Sequence, residues 1–183
     1  MRILGISGSL RADSLNTRLL RLAAEELPDG VELEVYGELA EIPPFDHDLV
    51  DLAPDSVERL KDAIASSDGL LVATPEYNGS VPGQLKNALD WVSRPLADNP
   101  ARAKPVAVIG ASTSSFGGVW AQRELKKVLG ILGARVLDVE LPIAKADVRL
   151  ADPDPELRSE VAAAVDALVD EASRTREPAS LSI

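Results

Sequence analysis

Three short segments of this 183-residue chain combine hydroxyls, glycines and turn-forming residues in the way an anionic, flat ligand requires. The first is Ser7-Gly8-Ser9-Leu10-Arg11-Ala12-Asp13-Ser14-Leu15-Asn16. It offers the Ser7, Ser9 and Ser14 hydroxyls, the Asn16 amide and the Arg11 guanidinium at the start of a helix-like pattern. A helix start leaves backbone N–H groups without partners, and a phosphate wants many donors and one positive charge. In a chain of net charge −11, an arginine at that place is informative. The plainer alternative is a serine-capped turn with a solvated arginine. Asp13 opposes an anion unless its side chain turns back to cap the helix. The segment lacks the Gly-Lys-Ser/Thr ending of a triphosphate loop and the glycine spacing of a dinucleotide fingerprint. A monophosphate fits it better.

The second segment, Thr74-Pro75-Glu76-Tyr77-Asn78-Gly79-Ser80-Val81-Pro82-Gly83, places two prolines and two glycines in a rigid turn. Such a turn can present backbone N–H and C=O groups edge-on to a flat ligand. Tyr77, in a chain with 3% aromatic residues, reads either as a ligand contact or as an anchor on the following helix. The third segment, Ala111-Ser112-Thr113-Ser114-Ser115-Phe116-Gly117-Gly118, adds hydroxyls and close backbone approach before another helix. Alone it reads as a flexible linker; beside the other two it reads as a ligand wall. There is no cysteine, and the single histidine, His47, sits in an Asp-rich loop as a solvated residue. Disulfides, thiolate metal sites and a Ser-His-Asp triad are therefore excluded or hard to build. No catalytic side chain and no metal ligand is assigned.

The elements that must position these segments alternate from end to end. Ile3 to Ile6 is a short apolar strand. Leu15, Leu19, Leu22, Ala23 and Leu27 form one face of a helix with Asp13 or Ser14 as its N-cap, stopped by Pro28-Asp29-Gly30. Val31, Leu33 and Val35 alternate with glutamates, a strand with one wet face. Residues 41–53 are Pro- and Asp-rich, hence loop, and Pro54 opens a helix bearing Val57, Leu60 and Ile64. Residues 69–73 form an unbroken apolar strand. Ser80 and Pro82 suit the start of a helix with Leu85, Ala88, Leu89 and Val92. Val106 to Ile109 is a further buried strand. A helix with Leu125, Val128, Leu129 and Leu132 ends at Gly133. Val136, Val139 and Leu141 mark a more polar last strand, and a final helix spans about 154–172.

Strands alternating with helices imply an α/β fold with a parallel sheet covered on both faces. The wholly apolar strands 1, 3 and 4 belong in the middle, and strands 2 and 5 suit the edges. Right-handed crossovers then give a five-stranded order 2-1-3-4-5, a flavodoxin-like three-layer sandwich. Ligands bind such a sheet beyond the carboxyl ends of its central strands, where the three segments meet. Residues 1–173 are expected to form a single domain and residues 174–183 a flexible tail. The chain is 45% hydrophobic and 27% charged, ordinary for a globular protein. No run approaches the ~18 apolar residues of a membrane span, and the first residues lack a signal-peptide layout. The excess of acid repels nucleic acid and anionic membrane. A cytoplasmic protein is expected.

At this point the residues match a family. Gly8-Ser9-Leu10-Arg11 with Ser14 and Asn16 resembles the FMN-phosphate loop of the NAD(P)H-dependent FMN reductases, a flavodoxin-like group that includes quinone and chromate reductases. Residues Pro75 to Ser80, continuing through Leu85-Lys86-Asn87-Ala88-Leu89-Asp90-Trp91 to Ser93-Arg94-Pro95, resemble its flavin-ring segment. Ser115 and Gly117-Gly118 resemble the third loop more loosely, as does Ile42-Pro43-Pro44-Phe45 the segment after strand 2. The resemblance covers about residues 1–170. It implies that Ser9, Arg11, Ser14 and Asn16 hold the FMN phosphate. Pro75, Glu76, Tyr77, Asn78 and Gly79 would line the isoalloxazine, with Ser112 and Ser115 nearby. The implied activity passes hydride from NADPH or NADH through FMN to a quinone-like acceptor in a ping-pong cycle. A homodimer or homotetramer is implied as well. A flavodoxin-type electron carrier and a reductase that supplies reduced FMN to a monooxygenase are the alternatives. A lipase-like hydrolase stands behind both, since His47 is badly placed for it.

Overall fold

The computed structural model describes residues 1–176. In chain order it has β1 (Arg2–Ser7), α1 (Leu15–Glu25), β2 (Glu32–Val35), α2 (Asp55–Ala65), β3 (Gly69–Ala73) and α3 (Gly83–Val92). Then follow β4 (Pro105–Ala111), α4 (Val119–Ile131), β5 (Arg135–Val136), β6 (Leu141–Ile143), the one-turn α5 (Ala146–Arg149) and α6 (Pro155–Arg176). The sheet is parallel throughout, in the order β2-β1-β3-β4-β5, with β6 also paired to β4. This is the α/β, flavodoxin-like order that the strand polarities imply.

Alternation along each strand sorts the core into two layers. Leu4, Ile6, Leu70, Val72, Val106 and Val108 face α2, α3 and α4, where they meet Val57, Leu60, Leu85, Leu89, Leu125 and Leu129. Ile3, Leu71, Ala73, Ala107 and Ile109 face the other way, onto Leu19, Leu20, Leu157, Val161 and Leu168 of α1 and α6. The three central strands bury both faces, so they read as continuous apolar runs. In β2 the glutamates 32 and 34 stay exposed while Leu33 and Val35 are half-buried, as an edge strand allows.

Several local expectations are corrected. The last strand is not one strand: residues 138–140 leave the ladder between β5 and β6, where Glu140 turns out to meet Arg123 at 2.9 Å. Helix α1 stops at Glu25, short of Leu27. The Pro-rich stretch before α2 contains 3-10 turns at Leu39–Glu41 and His47–Leu52. Its middle is tacked to α3, since Asn87 accepts from the Phe45 N–H at 2.7 Å and donates to the Pro43 carbonyl at 2.8 Å. Ser80 does not cap α3, whose cap position is Pro82 without a side-chain bond. Residues 174–176, expected in a flexible tail, continue α6, supported by ion pairs from Glu171 to Arg135 and Arg174 at 2.9 Å each. The rest of that expected tail, 177–183, lies outside the described residues. Among the described residues no helix is long and apolar enough to cross a membrane.

Candidate cofactor site

The carboxyl ends of β1, β3 and β4 carry the three segments, here loops one, two and three. Loop one leaves β1 at Gly8, whose N–H bonds the Ala73 carbonyl at 2.8 Å and so continues the ladder to β3 for one residue. Ser14 is the N-cap of α1, in extended backbone, and its Oγ accepts from the Thr17 N–H at 3.2 Å. The amides of Leu15 and Asn16, ahead of that bond, have no acceptor among the described residues. They are the exposed donors that make a helix N-terminus attractive to an anion. Asp13 does not cap; its carboxylate lies 3.6 Å from Arg18, which turns that charge aside. The Arg11 guanidinium is exposed and bonds nothing among the described residues.

Asn16 has a different task from its loop-one neighbours. It is 2% exposed, its Nδ2 donates to the Ala111 carbonyl at 3.0 Å, and its Oδ1 accepts from the Ala111 N–H at 2.9 Å. The carboxamide thus acts as an extra strand residue beside the end of β4, locking α1 to the strand that leads into loop three. One amide hydrogen of Asn16 remains for a ligand.

Loop two is built on a tight hairpin turn. Tyr77 and Ser80 exchange N–H···O bonds of 3.1 Å in both directions, and the two residues between them have positive φ, 54° at Asn78 and 75° at Gly79. That is the type I′ geometry for which Asn-Gly is the favoured pair. The amides of Glu76, Asn78 and Gly79 have no partner among the described residues. The Glu76 carboxylate points the other way, accepting from the N–H groups of Trp120 and Ala121 at 3.0 and 3.2 Å. Helix α4 begins after Gly118, which has no side chain to cap it, and Glu76 supplies the missing acceptor and negative charge. Ser80 adds a second tie, donating to Glu124 at 2.6 Å.

Loop three is held from below. The Ser112 N–H donates to the Ile143 carbonyl at 3.0 Å, and Ser114 closes on the Ser112 Oγ at 3.1 Å. Gly117 has φ 60°, and a Cβ added there would sit 2.5 Å from the Pro142 carbonyl carbon, so only glycine fits. Beneath the turn, the fully buried Gln122 donates to the Gly117 carbonyl at 3.3 Å while its Oε1 has no partner among the described residues.

The loops enclose a cavity of about 190 Å³ lined by Ser9, Arg11, Ser14, Asn16, Pro75, Glu76, Tyr77 and Ser112, together with Leu15, Ala111 and Thr113. Three of the expected residues, Asn78, Gly79 and Ser115, stand at the outer tips of loops two and three rather than in its wall. Two aromatic residues stand on the rim of loop three. Phe116 and the α4 residue Trp120, 59% and 47% exposed, pack with ring centroids 4.8 Å apart. Sequence reading missed Trp120 because it lies inside the helix pattern. A wider groove of about 550 Å³ lies between α2 and residues 95–100, but Asp51, Glu58, Asp62 and Asp98 line it, which repels an anion. Among the described residues no group of three His, Cys, Asp or Glu is placed to hold a metal.

Fold and site together define a flavodoxin-fold protein with an anion cradle at the end of β1. A sequence profile of the NADPH-dependent FMN reductases matches residues 1–147, and the chain belongs to that family. It is 42% identical over 139 residues to an NAD(P)H-dependent FMN reductase of Pseudomonas aeruginosa, covering 75% of this chain and 74% of that one. It is 38% identical over 140 residues to a quinone reductase of Escherichia coli K12, again covering 75% and 74%. Among solved structures, the flavoenzyme NAD(P)H:(acceptor) oxidoreductase FerB of Paracoccus denitrificans superposes with a TM-score of 0.84 and 37% identity, over 94% of this chain and 97% of that one.

The residues present fit an FMN. The cradle offers the free amides of Leu15 and Asn16, the Ser9 and Ser14 hydroxyls and an uncommitted guanidinium, the donor set a phosphate dianion takes. The cavity is smaller than the roughly 300–1,000 Å³ that encloses a whole ligand of this class. It therefore suits the phosphate end of such a ligand.

Proposed function

We propose that this protein is an NAD(P)H oxidoreductase that carries FMN across loops one to three and reduces a quinone-like acceptor. One observation carries the reading: free anion donors at the start of α1 line a cleft that loop two also walls, and loop two carries the free amides of the Asn78-Gly79 turn at its tip. Ser9, Arg11 and Ser14 hold the phosphate. Asn16 both positions the loop and offers its spare hydrogen. Pro75 and Tyr77 shape the wall, and the amides of Glu76, Asn78 and Gly79 face the polar edge of the ring. Ser112 closes the third side, and Ser115 reaches the ring from the rim. When bound, FMN would supply the hydride and electron chemistry between nicotinamide and acceptor.

The chain's own part is to bind, orient and supply backbone donors where negative charge collects. No side-chain acid or base is assigned. An open cleft serves donor and acceptor in turn, which gives ping-pong kinetics. Residues 1–173 act as one cytoplasmic FMN-binding domain, and the exposed Leu96 and Ile131 beside α3 and α4 suit a homodimer or homotetramer.

The test is an anaerobic visible spectrum of the FMN-loaded protein. Bleaching by NADH or NADPH followed by recovery with a quinone is the expected result. A flavin that neither nucleotide bleaches would favour an electron carrier, for which the Phe116–Trp120 pair would be the ring shield. Release of the reduced flavin into solution would favour supply of a monooxygenase. Absence of flavin binding overturns all three.

A further inference from the structure

Helix α4 buries Ala121, Gln122, Leu125 and Leu129, and of these only Gln122 is polar. Its Nε2 donates to the Gly117 carbonyl at 3.3 Å and reaches the Gly118 carbonyl at 3.5 Å. Among the described residues, its Oε1 is the only buried side-chain nitrogen or oxygen without a partner. The two carbonyls fix the orientation of the carboxamide, since the reverse would set oxygen against oxygen. The sheet makes room for it, because a Cβ on Gly110 of β4 would stand 2.7 Å from the Gln122 Nε2. A buried acceptor without a donor costs stability, and an apolar side chain of similar size would not carry that cost. Packing alone does not account for a carboxamide at this place.

What the carboxamide holds does account for it. Gly117 and Gly118 both have positive φ, 60° and 77°, and no side chain restrains the peptide that joins them. A trans peptide sends its C=O and its N–H to opposite sides. With the Gly117 carbonyl drawn onto Gln122, the Gly118 N–H is directed away from that side chain. This N–H has no acceptor among the described residues although Gly118 is buried, and buried amides without a partner are rare. The next three amides are taken: Val119 bonds the Phe116 carbonyl at 3.2 Å, and Trp120 and Ala121 bond Glu76. Gly118 abuts loop two, since a Cβ built on it would lie 3.7 Å from the Glu76 Cβ and 3.9 Å from the Glu76 nitrogen. The Glu76 amide is itself free, and Glu76 lines the candidate cofactor cavity. Two unpaired backbone donors thus neighbour each other where loops two and three meet.

We propose that Gln122 is a positioning residue: by holding the Gly117–Gly118 peptide, it aims the Gly118 N–H at the flavin ring, where that donor stabilises the negative charge of the reduced state. The proposal rests on the FMN reading above. It adds a side chain outside the cleft that sets how readily the cofactor is reduced.

The experiment compares wild type with Gln122→Met and Gln122→Leu, which fill similar space without a donor, their folding checked by circular dichroism. Affinity for oxidised FMN, from fluorescence titration, should change by less than about threefold. Affinity for reduced FMN should fall about tenfold, so the midpoint potential of the bound flavin becomes more negative by about 30 mV for the two-electron couple. A purely structural role weakens both oxidation states alike, and an unchanged potential in the folded variants overturns the proposal. A second measurement needs no variant. Hydrogen exchange at the Gly118 amide of the wild-type apoprotein, followed by NMR, should slow about tenfold or more when FMN is added, and more than at its hydrogen-bonded neighbour Val119. Exchange at Gly118 that FMN leaves unchanged overturns the proposal even where neither variant folds. Failure of the wild type to bind FMN is a separate result: it defeats the FMN reading itself, and the proposal with it.

Discussion

The side chain of Asn16 and the backbone of Ala111, 95 residues apart in sequence, hold each other by two hydrogen bonds of 3.0 and 2.9 Å in a fully enclosed place. This pair ties the start of α1 to the end of β4, and with them the candidate anion cradle to loop three. Replacing Asn16 with Leu leaves both Ala111 groups buried and unpaired. The expected cost is about 2–4 kcal/mol of unfolding free energy, read from urea denaturation. FMN affinity should fall with it. Asn16→Asp, which keeps one acceptor and loses one donor, should sit between.

Arg11 separates binding from folding. Its guanidinium is exposed and has no partner among the described residues, so Arg11→Ala should leave the urea midpoint of the apoprotein unchanged. The loss of a charge-assisted bond to the phosphate should weaken FMN by about 1.5–3 kcal/mol, measured by fluorescence titration of the apoprotein. Unaltered FMN affinity in this variant would place the phosphate elsewhere.

For Glu76 the expected effect is on the neighbouring helix. Glu76→Ala leaves the Trp120 and Ala121 amides without their acceptor and should destabilise the protein by about 0.5–2 kcal/mol, the range of an N-cap deletion. Glu76→Gln keeps an acceptor oxygen and loses only the charge, so it should recover much of that. Equal losses in the two variants would show that charge alone matters.

Acid should weaken the protein partly through Glu140. Two bonds from Arg123, at 3.0 and 2.9 Å, hold its carboxyl below the ordinary value. The folded chain then binds this proton less readily than the unfolded chain. The resulting stabilisation is complete above the unfolded carboxylate value and disappears as pH falls through the lower, folded one. Tm measured from about pH 6 to about pH 3 should show a shallower acid decline in Arg123→Ala than in wild type. Added salt should shrink the difference, because the pair is solvent-facing.

What could be read in the sequence depended on whether a signal was local. The strand order was legible because the unbroken 69–73 run and the Glu-interrupted 31–35 segment differ within five residues of chain. The rigid turn of loop two was legible for the same reason, since its two prolines and two glycines lie close together in the chain. The task of Asn16 was not legible, because its partner is a backbone unit 95 positions away and any residue type could stand there. Gly118 shows that α4 lacks a cap of its own. Nothing near it shows that Glu76, 44 residues before Trp120, provides one. The break in the last strand coincides with a cross-element contact between Glu140 and Arg123, which alternation along the strand cannot reveal.

The carboxylate that caps α4 belongs to the same loop that should lie along the flavin, and that joins two equilibria. A ligand that orders loop two also steadies the first turn of α4, and by thermodynamic reciprocity a frayed α4 makes loop two a poorer host. Amide hydrogen exchange at Trp120 and Ala121 would thus report cofactor occupancy from outside the cleft, slowing as FMN is added. With FMN laid along loop two, the first turn of that helix would be a built-in gauge of how full the site is.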